Sequence, residues 1–484
     1  MKRIIFLLTF LISCQFAKSQ DTTGVYYISK MNLMKTDSFL ASKNLNGRLS
    51  GSKGYYKAAD FMAEEFSKLG LKPLGNKNYF QNFKIEYNEI NAPCKFNLIE
   101  NDKIQKQFKL GKDFVCRGFT GSGHFIAPVA FCGYGFSENG YDDYADIDVK
   151  GKIVLMFKQV PEWKIENQNW NTSLRYRENI AFQKGALAIL FVSKPNDVNP
   201  QKPIGSTLDG EGKYLDNFPM LQIDIDVANE LLTTCPYNLK EIQTYIDSLK
   251  QPKSFELKIN AELDINAKYE KERNTMNIAG MLEGEEDDYI IVGAHLDHVG
   301  GQGDEIFFPG ANDNASGSSA VLEIARAFIH NNIKPKRSII FILFSNEESG
   351  LNGATFFTEH PPVPLEKITA MLNLDCIAFG DSIRIGNGKG APKLWGITRE
   401  LDSLFIKQMI LDTWNGGGAD ATPFHQKGIP CLYFVTTNSY KHLHLPSDLP
   451  ETLNQNLFEK IVRLAYITAL NISDGEYKRE VVLP

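Results

Sequence analysis

No C-x-x-C pair occurs among the seven cysteines (14, 94, 116, 132, 235, 376 and 431), which argues against a cysteine zinc site. Their spacing alone assigns no disulfide. Basic charge is not in excess either: 52 Lys and Arg face 58 Asp and Glu, a formal net charge of −6. No field exists to recruit nucleic acid or anionic lipid, so neither is an expected partner. Past the first residues, no apolar run is long enough to cross a bilayer, so no integral membrane span is expected. Repeats and low-complexity tracts are also missing, which excludes a repeat array. What remains is an ordinary globular composition, 43% hydrophobic and 23% charged. A length of 484 residues is long for one domain and comfortable for two.

The start reads as an export signal. Lys2 and Arg3 precede an apolar run, Ile4 to Ser13, that is too short to be an anchor. Ala17-Lys18-Ser19 fits ordinary signal cleavage and predicts a signal peptide over 1–19. Leu11-Ile12-Ser13-Cys14 competes with it; it resembles a bacterial lipobox and would leave a lipid anchor at Cys14. Either way the expected location is outside the cytoplasm: periplasmic, cell-surface or secreted.

Three segments follow. In 20–112, Tyr55, Ala58, Met62, Phe66 and Leu69 recur at spacings of three and four, with Gly70 as cap, which predicts a helix over 54–70. Residues 80–118 read as short strands with polar turns. In 113–261, short apolar strands alternate with Gly, Asp and Pro turns, as at Pro128–Cys132, Ile153–Phe157, Ala186–Val192 and Met220–Ile223. This stretch holds one isolated histidine, His124, and reads as a separate β-rich domain. Residues 262–276 are charged and read as a connection back. The last segment, 262–484, then repeats a strand, loop, helix pattern. Tyr289–Ala294, Ile339–Phe344, Ile368–Leu374 and Ile429–Val435 are continuous apolar runs, as buried parallel strands are. Val321, Ile324, Ala325 and Phe328 share a helix face, as do Leu457, Ile461, Leu464 and Ala465. The expected fold class is α/β: an open, mostly parallel sheet with helices on both faces, and a β-rich domain inserted.

Ligands of such sheets bind beyond the carboxyl ends of the strands. Past the first run come His295, Asp297 and His298; past the second, Glu347 and Glu348; past the third, Asp375. The loop after the last run carries Tyr440, His442, His444 and Asp448, and Asp313 leads into a helix between the first two. Each group alone has a bland reading: a hydrogen-bonded His-x-Asp, a solvated Glu-Glu turn, a helix cap at Asp375, a surface histidine at 444. All of those readings must hold at once, on one rim, to defeat a common site. Converging carboxylates repel unless cations join them, and imidazole with carboxylate suits zinc, with cobalt or manganese as substitutes. Two ions about 3.5–4 Å apart polarise a carbonyl and activate water, and a free carboxylate moves the proton.

These residues resemble the co-catalytic di-zinc aminopeptidases, metallopeptidase family twenty-eight. The resemblance runs through Val292–Gly300, Gly310–Gly317, Asn346–Leu351, Asn373–Asp375 and His444–Asp448, in the family's order, with Arg48–Ser52 similar to its N-terminal start. It implies two zinc ions per chain. His295 and Asp375 would hold one, Glu348 and His444 the other, with Asp313 bridging and a cis peptide after it. It further implies Glu347 as general base and Asp297 as the carboxylate that orients His295. It gives His298 no role, and a surface or packing position is expected. Gly133-Tyr134-Gly135, Asp148–Val154 and Lys184-Gly185-Ala186 resemble a protease-associated domain, which shapes substrate access without carrying catalysis. Segments 20–112 and 262–484 would then build the peptidase domain.

One departure stands out. Before Gly428-Ile429-Pro430 the family has Ser-Asp and then His or Tyr, which in relatives stabilises the oxyanion; here Ala419-Asp420-Ala421 occupies those places. Tyr440 or His425 is left to substitute, and Tyr440 with Asp420 are the expected substrate contacts. The expected activity is removal of N-terminal residues from peptides. A carboxypeptidase, dipeptidase or glutaminyl cyclase reaction of the same family, or a non-catalytic binding protein, are the alternatives. The complete ligand set argues against the last two.

Overall fold

The structure, a computed structural model, describes residues 23–163, 170–208, 210, 212–332, 334–475 and 477–483. The expectations for the signal peptide and for Cys14 fall outside the described residues. Strands relevant to the site are β1 (Phe80–Glu100), β2 (Gly123–Cys132), β3 (Ile153–Phe157), β4 (Ala188–Val192), β5 (Met220–Ile223), β6 (Ser254–Leu282), β7 (Glu286–His295), β8 (Arg337–Phe344), β9 (Ile368–Leu374), β10 (Ile383–Gly386) and β11 (Cys431–Thr436). The helices are α1 (Lys53–Lys68), α2 (Ser316–Asn331), α3 (Asn352–Glu359), α4 (Ala421–Gln426) and α5 (Gln455–Ser473).

Strand order runs β10-β11-β9-β7-β8-β6-β2-β3-β4-β5. β7 pairs in parallel with β8 and β9, and β9 with β11; β10 and β6 close this half as antiparallel edges. Alternation along each strand feeds two layers. In β8, Ile339, Phe341 and Leu343 face one core with Val321, Ile324, Phe328, Leu457 and Ile461 of α2 and α5. Ile340, Ile342 and Phe344 face the other, with Phe357 of α3 and Phe424 of α4. Each such fully buried side chain contributes about 1.5–3 kcal/mol before chain entropy is subtracted.

Two expectations are corrected here. Residues 80–118 do not begin as short strands, because β1 runs unbroken for 21 residues. The charged stretch 262–276 does lead back from the inserted unit, but as continuous strand: it lies inside β6, a 29-residue strand paired with β1 from Asn260↔Ile99 to Ile278↔Phe80. The polar side chains misled because this pair is a ribbon in which the β6 side chains over 266–274 are exposed or half-buried. A ladder needs only backbone groups, and charge on an exposed face does not oppose it. The ribbon links the two halves. Beyond it, β2, β3, β4 and β5 form a second, largely parallel unit with its own cores. Helices Leu174–Gln183, Ile225–Leu231 and Leu239–Leu249 belong to this inserted unit as well.

Candidate metal centre

The rim at the carboxyl ends of β7, β8, β9 and β11 gathers side chains that are far apart in sequence. His295 closes β7 and its carbonyl accepts from Ser318 Oγ at 2.7 Å. Glu347 and Glu348 follow β8 after Asn346, which turns the chain at φ 63°. Asp375 follows β9, and Cys376 behind it turns at φ 53°. His444 itself stands at φ 54°. Left-handed backbone at non-glycine residues costs about 1–3 kcal/mol each and persists where surrounding contacts overdetermine it. Asp313 sits in the turn ahead of α2, between Gly310 at φ 59° and a cis Asp313–Asn314 peptide. That turn is held by Asp448, whose carboxylate accepts from the backbone N–H of Asn312 at 2.9 Å and of Asp313 at 3.1 Å.

Asp313 divides the set in two. Its Oδ1 lies 3.3 Å from His295 Nε2, and that nitrogen is 3.3 Å from Asp375 Oδ1. Its Oδ2 lies 3.1 Å from His444 Nε2, and that nitrogen is 2.9 Å from Glu348 Oε2. Donors about 2.0–2.1 Å from a tetrahedral zinc stand roughly 3.3 Å from one another. The first triad matches this spacing and the second is slightly tighter. The donor types are those that zinc takes, and each triad leaves a coordination position for water or substrate. The five residues therefore fit zinc in donor type and spacing, with Asp313 facing both groups.

The charges agree. Burial alone would lower His295 and His444, yet the facing carboxylates raise both well above the ordinary imidazole range. Against the upward push of burial, His295 and His444 hold Asp313 well below the usual carboxylate value. Burial also pushes Glu348 up, but His444 and His298 bring it down to about 2. The carboxylates facing the two imidazoles make this a cage that favours positive charge.

Glu347 stands apart from the triads. Its Oε2 is 4.0 Å from His295 Nε2. Burial pushes its carboxyl well above the ordinary range; His295 opposes this, while Asp420, Glu348 and Asp375 add to it. Such a group is suited to receive and return a proton.

Some expected roles need revision. Asp297 does not reach His295 with its carboxylate, which is 3.9 Å away; its backbone carbonyl does, at 3.1 Å from Nδ1. The turn after β7 brings that carbonyl closer. The Asp297 carboxylate instead accepts from the backbone N–H groups of Glu347 and Glu348, at 3.2 and 3.4 Å, and so holds the base in place. His298 is not at the surface: it is fully buried, with Nδ1 2.7 Å from Glu348 Oε1. Asp420 is fully buried, its carboxylate oxygens without a hydrogen-bond partner, so it does not open onto the cleft as a substrate contact must. Tyr440 is 56% exposed on the cleft wall, with its hydroxyl 3.4 Å from that of Tyr433. Ala421 is packed in the apolar layer and supplies no donor. His425 packs toward Gly390 on the far side of the turn.

Three further contributors had no role assigned from the sequence. Tyr433 donates to Asp375 Oδ2 at 2.9 Å and leaves Oδ1 for the triad. Asp448 closes the Asp313 turn. Arg48 is fully buried and donates to the carbonyls of Leu40, Leu296, Pro309 and Gly310, which ties the chain near His295 to the chain near Asp313. A cleft of about 1240 Å³ adjoins this rim, with Phe379, Trp414, Val435, Tyr440 and Leu443 on one side and Lys202 and Ile204 of the inserted unit on the other.

Residues 277–468 match the model of peptidase family M28. An aminopeptidase of Pseudomonas aeruginosa (strain UCBPP-PA14) is 32% identical over 383 residues, covering 76% of this chain and 62% of that protein. A maize protein named as a probable glutamate carboxypeptidase is 32% identical over 208 residues, 38% of this chain and 28% of its own length. The chain thus spans less than two thirds of either relative. In fold it is similar to the structure of BSAP, a zinc aminopeptidase from Bacillus subtilis, with a TM-score of 0.64, 19% identity and coverage of 94% of this chain and 98% of that one. The α/β architecture is the one shared with these solved structures.

Proposed function

We propose that the chain is an exported two-zinc aminopeptidase that hydrolyses the N-terminal peptide bond of peptides. The observation that carries this is Asp313, with one carboxylate oxygen toward His295 and the other toward His444. His295, Asp313 and Asp375 would hold one ion, and Glu348, Asp313 and His444 the other. Zinc held by these residues would lower the pKa of a water and polarise the scissile carbonyl. Glu347, beside His295 and Asp375, takes the proton of the attacking water and returns it to the departing amine. Asp297 fixes that carboxylate through the Glu347 and Glu348 backbone. Tyr440, braced by Tyr433, is the phenol that supplies the donor missing at Ala421, aimed at the oxyanion. Export rests on the basic and apolar start, with lipidation at Cys14 as the other outcome of processing.

A carboxypeptidase reaction is the second reading. Lys202 and Lys441 in the cleft wall favour it, because a C-terminal carboxylate needs a cation there. A hydrolysis panel separates the two. Peptides with a free amine and a blocked carboxylate are cleaved by the aminopeptidase, and N-blocked peptides with a free carboxylate by the alternative, each only without chelator. Cleavage of N-blocked peptides alone overturns the proposal.

A further inference from the structure

The inserted unit reaches into the metal centre through one short strap, Gly205–Thr207. Gly205 clasps His444 twice: its N–H donates to the His444 carbonyl at 2.8 Å, and its own carbonyl lies 3.2 Å from His444 Nδ1. A carbonyl only accepts, so Nδ1 carries a proton, and Nε2 is the nitrogen that would give its lone pair to a zinc ion shared with Asp313 and Glu348. Two residues on, Thr207 Oγ1 donates to the Glu348 carbonyl at 2.6 Å. Ser206 between them accepts from the Gly118 N–H at 2.9 Å, which fastens the strap to its own unit. The strap is packed without slack. A Cβ on Gly205 would come within 2.6 Å of Val299 Cγ2 and 3.0 Å of Phe308 Cζ. Thr207 is almost completely buried.

Both residues the strap grips belong to the same triad. His295 and Asp375 of the other triad are held by their own domain: by the Asp297 carbonyl, by Tyr433 and by Ser318 on the His295 carbonyl. We infer that the Gly205–Thr207 strap is a positioning element for the His444–Glu348 zinc position, so that the inserted unit sets the affinity of that position while leaving the His295–Asp375 position alone. The inserted unit then does more than border the cleft: its displacement empties one of two metal positions. The inference rests on the two-zinc reading above.

Zinc titration of the metal-free full-length protein against a competing chelator tests it. The variants are Thr207→Val, which keeps the shape and removes the hydroxyl, Gly205→Ala, which pushes the strap off Val299, and Thr207→Ser, which restores the hydroxyl. Loss of a hydrogen bond that orients a ligand costs roughly 10–100-fold in metal affinity. Expected is a wild type with two zinc ions, a loss of that size for one ion only in Thr207→Val and Gly205→Ala, and near wild-type binding in Thr207→Ser. A general loss of structure would weaken both ions together, and that result overturns the inference. So does binding of two ions by Thr207→Val and Gly205→Ala with wild-type affinity. If Gly205→Ala does not fold, Thr207→Val decides alone. A wild type that binds no zinc removes the two-zinc reading and the inference with it, which separates that failure from failure of the strap.

Discussion

Replacing Arg48 with methionine removes a cation that nothing nearby can replace. The guanidinium is wholly enclosed and donates to the carbonyls of Leu40, Leu296, Pro309 and Gly310. Burial lowers its pKa, while Asp37, Asp313, Asp448 and Asp297 raise it, so it is also the counter-charge of several buried carboxylates. A hydrogen bond to a charged group is worth about 1.5–3 kcal/mol net, which puts an upper bound of roughly 6–12 kcal/mol on the four together. Two effects reduce this. Methionine fills much of the volume, and Arg48 no longer has to be desolvated. Removing one member of a buried charge network costs about 3–5 kcal/mol, and we expect a loss of that size. Urea unfolding of the metal-free protein measures it, as a fall in midpoint at unchanged slope. Arg48→Lys should fall between, since an ammonium keeps the charge but cannot span the same acceptors. A loss under about 1 kcal/mol in Arg48→Met, small beside that range, would refute the view that this side chain ties the His295 and Asp313 loops together.

Glu347→Gln should keep both metal ions and lose about 10²–10⁴-fold in turnover, read by metal analysis beside peptide hydrolysis; near wild-type turnover would mean the base lies elsewhere. A pH effect on stability is expected from Glu178 in the inserted unit. Burial pushes its folded pKa up to about 8, opposed only in part by Arg175, while the unfolded chain ionises near 4.5. Between those values the folded form holds a proton that the unfolded form has released. Stability from this group is therefore complete below about pH 4.5 and declines as pH rises toward about 8. Glu178→Gln should flatten that slope in unfolding measurements across the range, and an unchanged slope would contradict the assignment.

Much of the centre could be read from sequence because His295, Glu348 and Asp375 lie just past continuous apolar strands. Tyr289–Ala294 ends at His295, and Ile368–Leu374 ends at Asp375, so a local pattern carries the position of the ligand. The same logic gave the two helix faces in α2 and α5. It failed where the decisive partner is remote or nonspecific. Arg48 looks like any surface arginine until the carbonyls of Leu296 and Gly310 close over it. His298 follows the His295 turn by three residues, but only the fold aims it at Glu348. Asp297 has the expected neighbours with backbone and side chain exchanged, a distinction set by one turn's geometry. β1 and β6 were obscured because a solvated ribbon needs no apolar alternation. Gly205 carries no side-chain signal, since both of its bonds to His444 come from its main chain.

Zinc-edge anomalous diffraction from crystals of the full chain addresses the centre most directly. The account predicts two peaks, one on each side of the Asp313 carboxylate, the first among His295 and Asp375 and the second among Glu348 and His444. A single peak, a map without peaks there, or ions bound by other residues would contradict it.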